Sequence, residues 1–117
     1  MDHLHFETEA TARDLFEITV DRPANVLLLD QANYDRYCLG QEHVCFGGEA
    51  EKGSVRLKPN RPGRWHVAVD QGRSGGPVSA SVKNVTTGQA VGTHQARLLK
   101  GAATGADTLE YRADRQR

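Results

Sequence analysis

Five histidines and two cysteines carry most of the chemistry this 117-residue chain has to offer beyond charge and packing. His3 and His5 sit two apart in an alternating segment and share one face, and His43 and His66 are placed to reach a common rim. Three converging imidazoles would hold a transition-metal ion. The chain has no H-x-x-x-H pair, and no carboxylate reads at ligand spacing, so neither a metal nor a cofactor is expected. His43 and His66 fall on outward faces, where an imidazole meets water or a single hydrogen bond. Cys45 lies two residues from His43, an arrangement that would pair a thiol with an imidazole and lower its pKa. A nucleophile of that kind needs a third, orienting group and an oxyanion hole. Neither can be named, so hydrolase or transferase chemistry by His43 and Cys45 is the weakest reading. Gly47-Gly48 and Gly75-Gly76 bring backbone amides within reach of a ligand, but no Lys-Ser/Thr pair follows either, so neither is a P-loop.

Those side chains must be positioned by strands. Gly63 to Asp70 alternates Trp65, Val67 and Val69 with His66, Ala68 and Asp70, the period-two pattern of a half-buried strand. Trp65 is the single tryptophan, and its ring supplies more buried area than any other side chain here. This strand is expected at the middle of the core. Leu4 and Phe6 alternate likewise, as do Phe16, Ile18 and Val20, then Val44 and Phe46, Val55 and Leu57, and Val78, Ala80 and Val82. Val26 to Leu29 is apolar on both faces and reads as a strand covered on two sides. Asn33 to Leu39 lacks the period of two; Tyr34, Tyr37 and Cys38 stand three and four apart, which predicts a short helical turn stopped by Gly40. Gly47-Gly48 is expected to break the strand before it, and Gln71 to Pro77 to form a Gly-rich loop.

From Asn84 the texture changes. Thr86 to Gln89 fits a hairpin between Val85 and Val91, weak helical patterns follow at His94–Lys100 and Thr108–Arg115, and Gly101–Ala106 is linker-like. The expected organisation is a β-sandwich over residues 1–83 and a C-terminal arm over 84–117. Seven to nine short strands with regular turn signals point to an all-β, single-domain antiparallel sandwich of jelly-roll-like form.

Bulk properties narrow the partners. Hydrophobic residues make up 38% of the chain, below the usual share of about 45–50%, which leaves a modest core. Fifteen basic and fifteen acidic residues cancel, which removes the electrostatic footprint of a nucleic-acid binder. The longest apolar run, Val26 to Leu29, is far short of the ~20 residues of a membrane span. Met1 to His5 has neither the basic nor the apolar region of a signal peptide, so a cytoplasmic protein with reduced Cys38 and Cys45 is expected.

Asn25–Asp30, Asn33-Tyr34, Tyr37, Gly40, His43, Gly47-Gly48, the run Gly63-x-Trp65-His66-Val67-x-Val69-Asp70 and Val78–Val82 occur in an order that resembles a small bacterial β-sandwich family of unknown function. The resemblance covers residues 2 to 83 and departs at Cys45, where the family often has an aromatic. Its members stand alone or are fused to TIR domains in proteins suspected of roles in defence. The resemblance implies a sandwich and a non-catalytic sensing or binding module; it supplies neither ligand nor catalytic residues.

The expected function is therefore a binding or sensor module for a small ligand or a protein partner. Its rim would be built by Asn33, Tyr34, Arg36, His43, Gly47, Gly48, His66, Gly75 and Gly76. The alternative is an assembly module that self-associates, as a homo-oligomer, through a sheet edge or the C-terminal arm.

Overall fold

The alternating apolar residues find one another across two sheets. A computed structural model describes residues 3–72 and 76–97, with 93–97 described by backbone alone. Eight strands lie among the described residues: β1 (Leu4–Ala10), β2 (Phe16–Val20), β3 (Ala24–Asp30), β4 (Phe46–Ala50), β5 (Gly53–Leu57), β6 (Gly63–Asp70), β7 (Val78–Asn84) and β8 (Gln89–Arg97), with one helix, α1 (Gln31–Cys38), between β3 and β4. The first sheet has the order β1-β6-β3-β4 and the second β5-β2-β7-β8, all neighbours antiparallel. Every connection but the β7–β8 hairpin and α1 carries the chain from one sheet to the other. This is the expected antiparallel sandwich.

Leu4, Phe6, Phe16, Ile18, Leu28 and Val69 fill the space between the sheets and are essentially sealed from solvent. Each such side chain contributes roughly 1.5–3 kcal/mol by leaving water. β6 is a central strand, as its pattern predicts, and Trp65 is buried within the inter-sheet core. Its indole meets the Phe46 ring at 6.2 Å and the Arg61 guanidinium at 5.7 Å, and Nε1 donates to the Arg61 carbonyl at 3.0 Å.

β3 is covered on both sides. Val26 and Leu28 face the inter-sheet core, while Leu27 and Leu29 face outward beneath α1, with Tyr37 and Ala68. The helix starts two residues earlier than its spacing predicts, because Asp30 serves as N-cap and accepts the Asn33 N–H at 2.9 Å. It ends in a Schellman motif: Gly40 N–H reaches the Tyr37 carbonyl, Gln41 N–H reaches that of Arg36, and Gly40 has φ +72°.

Three expectations change. The segment His43–Phe46 is not a strand. Val44 N–H is taken by the Asn33 side chain and His43 Nδ1 by the Gln41 carbonyl, so β4 begins at Phe46 and runs through the glycine pair. Gly47 and Gly48 pair with Leu27 and Val26 instead of breaking the strand. The sheet also continues past residue 83. β7 reaches Asn84, and β8 completes the hairpin around Thr86–Gly88 and adds an edge strand to the second sheet. Gly92 permits this seat, since a Cβ there would stand 2.9 Å from the Phe6 ring. The patterns at Thr108–Arg115 and Gly101–Ala106, and Gly75 of the loop, lie outside the described residues.

Gly47 carries the tightest constraint. Its φ is +97°, and a Cβ there would stand 2.2 Å from the Val26 carbonyl oxygen. At Gly40 a Cβ meets nothing within 4 Å and only the left-handed backbone resists it. Gly40→Ala is expected to cost about 1–2 kcal/mol in urea unfolding, and Gly47→Ala to cost more or to abolish cooperative folding. Equal midpoints for the two variants would show that the clash is relieved.

Candidate functional site

The outer face of the first sheet carries most of the buried polar chemistry. Alternation along β1 places His3, His5 and Glu7 there, and alternation along β6 adds His66, Ala68 and Asp70. Glu7 lies directly across from His66 in the β1–β6 register, and His5 across from Ala68. α1 lies over this face. His5 and His66 are each only 2% exposed, so the outward position expected for His66 is a covered one.

The rings form a layered arrangement. His5 Nε2 and His66 Nδ1 are 2.8 Å apart, with the two rings nearly coplanar at 12°. The Tyr34 ring lies flat over both, 4.4 Å from the His5 centroid and 4.3 Å from that of His66. Its hydroxyl meets His3 Nε2 at 2.9 Å, and the His3 ring stands edge-on to Tyr37 at 5.0 Å. His66 Nε2 meets Gln31 Oε1 at 2.8 Å.

This network assigns the protons. Asp35 is an acceptor, so the Gln31 amide nitrogen faces it at 3.0 Å and its oxygen faces His66. His66 Nε2 must then donate, which in a neutral ring leaves Nδ1 as acceptor. His5 Nε2 donates to it. The pair accommodates two neutral rings or one shared charge, because two imidazolium rings would point protons at each other. Glu7 flanks it, with Oε1 3.8 Å from His5 Nε2 and Oε2 held by Arg64 at 2.8 Å. Arg64 also reaches Glu9 at 3.2 Å, and these residues line a groove of about 490 Å3 with Asp14 and Gln89.

Tyr37 and Asp70 act as a clasp. The buried Tyr37 hydroxyl donates to Asp70 at 2.7 Å, while Asn25 Nδ2 donates to the other carboxylate oxygen at 2.8 Å and Gly72 N–H at 3.1 Å. Burial, reinforced by the Asp70 carboxylate, pushes the Tyr37 phenol far above its ordinary range and favours the protonated form that donates to Asp70.

The residues expected at a single rim separate. Asn33, Tyr34 and His66 gather at α1; Asn33 bridges Asp30 and the Val44 backbone. Arg36 is exposed on the helix, and the exposed His43 ring stands edge-on to Tyr37 at 5.4 Å. Gly47 and Gly48 line a different groove, of about 270 Å3, with Val26, Val55 and Leu57 between the sheet edges. Gly76 lies against the Arg22 guanidinium beside the β6–β7 loop. His43 Nδ1 is engaged with the Gln41 carbonyl at 2.9 Å, and burial pushes the Cys45 thiol up, away from the reactive thiolate. Both cysteines are free. Sequence reasoning missed Glu7 and Gln31. The signal for Glu7 was its position two residues after His5, on the face already assigned to His3 and His5.

Asp30 anchors the roof. Burial alone would raise its carboxyl, but hydrogen bonds from the Asn33 backbone and side chain, with the adjoining Arg61 guanidinium, outweigh that and hold it below the usual carboxylate range. Its folded value lies below the unfolded value of about 3.9. The charge-dependent part of the cap is therefore present above that pH and lost as pH falls through the lowered value. Asp30→Ala is expected to destabilise the fold by about 1 kcal/mol at neutral pH, and the gap from wild type should narrow in urea titrations below pH 4. A gap that does not change with pH would show that the carboxylate charge contributes nothing.

Residues 1–88 match the family model of a domain of unknown function, DUF1883. No curated protein and no solved structure shows a match to the chain.

Proposed function

The chain belongs to the DUF1883 family, whose description assigns no activity, and on that premise we propose that it is a non-catalytic binding module whose ligand is received at the α1-covered face of the first sheet. The observation that carries this reading is the polar layer itself. His3, His5 and His66 are buried beneath a helix of eight residues, on a sheet whose inner face already supplies the hydrophobic core. A sandwich of this size would cover that face more simply with aliphatic residues. Burying polar groups stabilises little even when they are well paired. Small-ligand sites use a few convergent polar groups against aromatic walls, the composition found here with Tyr34 and Tyr37.

A Cys45 thiol pushed up by burial and a Tyr37 hydroxyl engaged as a donor to Asp70 fit binding better than turnover. No helix among the described residues is long and apolar enough to cross a membrane. A sensor role in a cytoplasmic bacterial defence system, in association with TIR effectors, belongs to the same proposal and rests on the resemblance described above.

A two-dimensional NMR screen of the full chain with a library of small polar fragments is expected to shift the Gln31, Tyr34 and His66 amides together. Hits confined to other surfaces would remove this face from consideration. His66→Leu alone should cost about 1–3 kcal/mol by stranding its partner. His5→Leu/His66→Leu should cost less than the sum of the single variants, and fragment shifts at α1 should vanish in it.

A second reading, self-association through a sheet edge, is favoured by β4. This edge strand carries two glycines and no proline, and Phe46 in it and Val44 just before it are exposed. An edge strand of this kind is a template on which a second chain can pair. Light scattering that gives a dimer for wild type and a monomer for Phe46→Lys would support it; a monomer for both would refute it.

A further inference from the structure

We propose that His5 Nε2, His66 Nδ1 and Glu7 Oε1 are the protein ligands of a divalent transition-metal site of zinc type. The inference deepens the binding reading above and rests on it for the choice of face. The three donor atoms lie within 4.8 Å of one another and come from two neighbouring strands of the first sheet. His5 Nε2 is 2.8 Å from His66 Nδ1 and 3.8 Å from Glu7 Oε1. A tetrahedral ion with bonds of about 2.0–2.1 Å needs donors about 3.3 Å apart. Opening the imidazole pair by roughly half an ångström, and swinging Glu7 Oε1 in from 3.8 Å at His5 and from within 4.8 Å at His66, meets that requirement.

The surroundings are those a metal centre uses. A ligating histidine normally donates its other ring N–H to a carbonyl or carboxylate, which fixes tautomer and orientation. His66 Nε2 does this to Gln31 Oε1, and Asp35 in turn fixes the Gln31 amide. Glu7 presents Oε1 to the imidazoles because Arg64 holds Oε2. The Tyr34 ring, flat against both imidazoles, keeps them in one plane. Glu7 is also part of the lining of the groove between β1 and β8, so the cluster borders that groove on its Glu7 side.

Proton balance is straightforward. Without metal, His5 Nε2–H donates to the His66 Nδ1 lone pair. On binding, the His5 proton moves to Nδ1, both Nε2 of His5 and Nδ1 of His66 turn lone pairs to the ion, and His66 keeps its Nε2 proton on Gln31. The step moves one proton within the His5 ring and changes the net charge of neither imidazole. Two imidazoles and one carboxylate suit zinc and its first-row neighbours, and not calcium or magnesium, which favour oxygen donors alone.

The test uses untagged full chain, stripped with chelator, then titrated with Zn2+ by calorimetry and with Co2+ by visible absorption. One ion per chain is expected, with cobalt bands of a nitrogen–oxygen site and a raised melting temperature in zinc. His5→Gln and Glu7→Gln should each lose stoichiometric binding while circular dichroism shows the sandwich intact. Gln31→Ala should weaken binding about 10–100-fold, and His43→Ala should leave it unchanged. Zinc binding that survives His5→Gln and Glu7→Gln, or that falls with His43→Ala, would overturn the assignment, as would no stoichiometric uptake by wild type. If stripped protein takes up fragments at Gln31 and Tyr34 but no zinc, the metal site fails and the binding face stands. If it takes up neither, both fail.

Discussion

The constraint on which the rest of this structure depends is that its first sheet must be covered twice. One face meets the second sheet across an aliphatic core. The other, with Leu27, Leu29 and Ala68 at its centre, would expose a broad apolar surface on β3 and β6 if α1 were lifted away. An eight-residue helix is too short to be stable by itself in water. It forms because Asp30 caps it, Gly40 closes it, and Tyr37 sinks into the sheet and bonds to Asp70. Every polar group on that face therefore lives in a space set by a short roof. The imidazoles of β1 and β6 must satisfy one another or the helix, because little water reaches them. The His5–His66–Gln31–Asp35 chain is the result, a run of donors and acceptors whose directions are set from the carboxylate end.

That arrangement separates two kinds of buried polar group. Tyr37, Asp70 and Asn25 form a closed set in which one hydroxyl, one amide and one backbone N–H share a carboxylate. It pins α1 to the β3–β6 pair and leaves nothing for a ligand to exchange. The histidine layer differs. Its central hydrogen bond joins two imidazoles, the His5 Nε2–H donating to the lone pair of His66 Nδ1. Glu7, tethered by Arg64 yet directed inward, adds charge where a purely structural pair would need none. The clasp explains why the roof stays; the layer explains what the roof is over.

Most of the scaffold was legible in the sequence because period-two alternation is a local signal. Leu4 and Phe6, Phe16 to Val20, Trp65 to Val69 and Val78 to Val82 each declare a strand and its inward face, and Val26 to Leu29 declares a strand with no outward one. The failures are non-local. His43 to Phe46 alternates as cleanly as any of these, yet Asn33, eleven residues earlier, takes the backbone donor of Val44 that a ladder would have used. Gly47 reads as a break because glycine is poor in strands; what requires it is the Val26 carbonyl, which comes too close for any side chain. β8 is weakly patterned because it is an edge strand whose seat depends on Gly92 making room for the Phe6 ring.

The candidate site shows the same division. That His3 and His5 share a face follows from their spacing. That Glu7 joins them follows equally, by one more step of two. What no local pattern conveys is the pairing of β1 with β6, which brings His66 opposite Glu7 across more than fifty residues of chain, or the fact that an outward face is roofed. An imidazole on a bare face meets solvent and carries little meaning. The same imidazole under Tyr34 meets only what the fold supplies. The apolar alternation of Trp65 to Val69, which names the core, therefore also places His66 beneath α1, because in a strand the residue that leaves one face must enter the other. Core and site are two sides of one sheet, and a shift of register by one residue would exchange them.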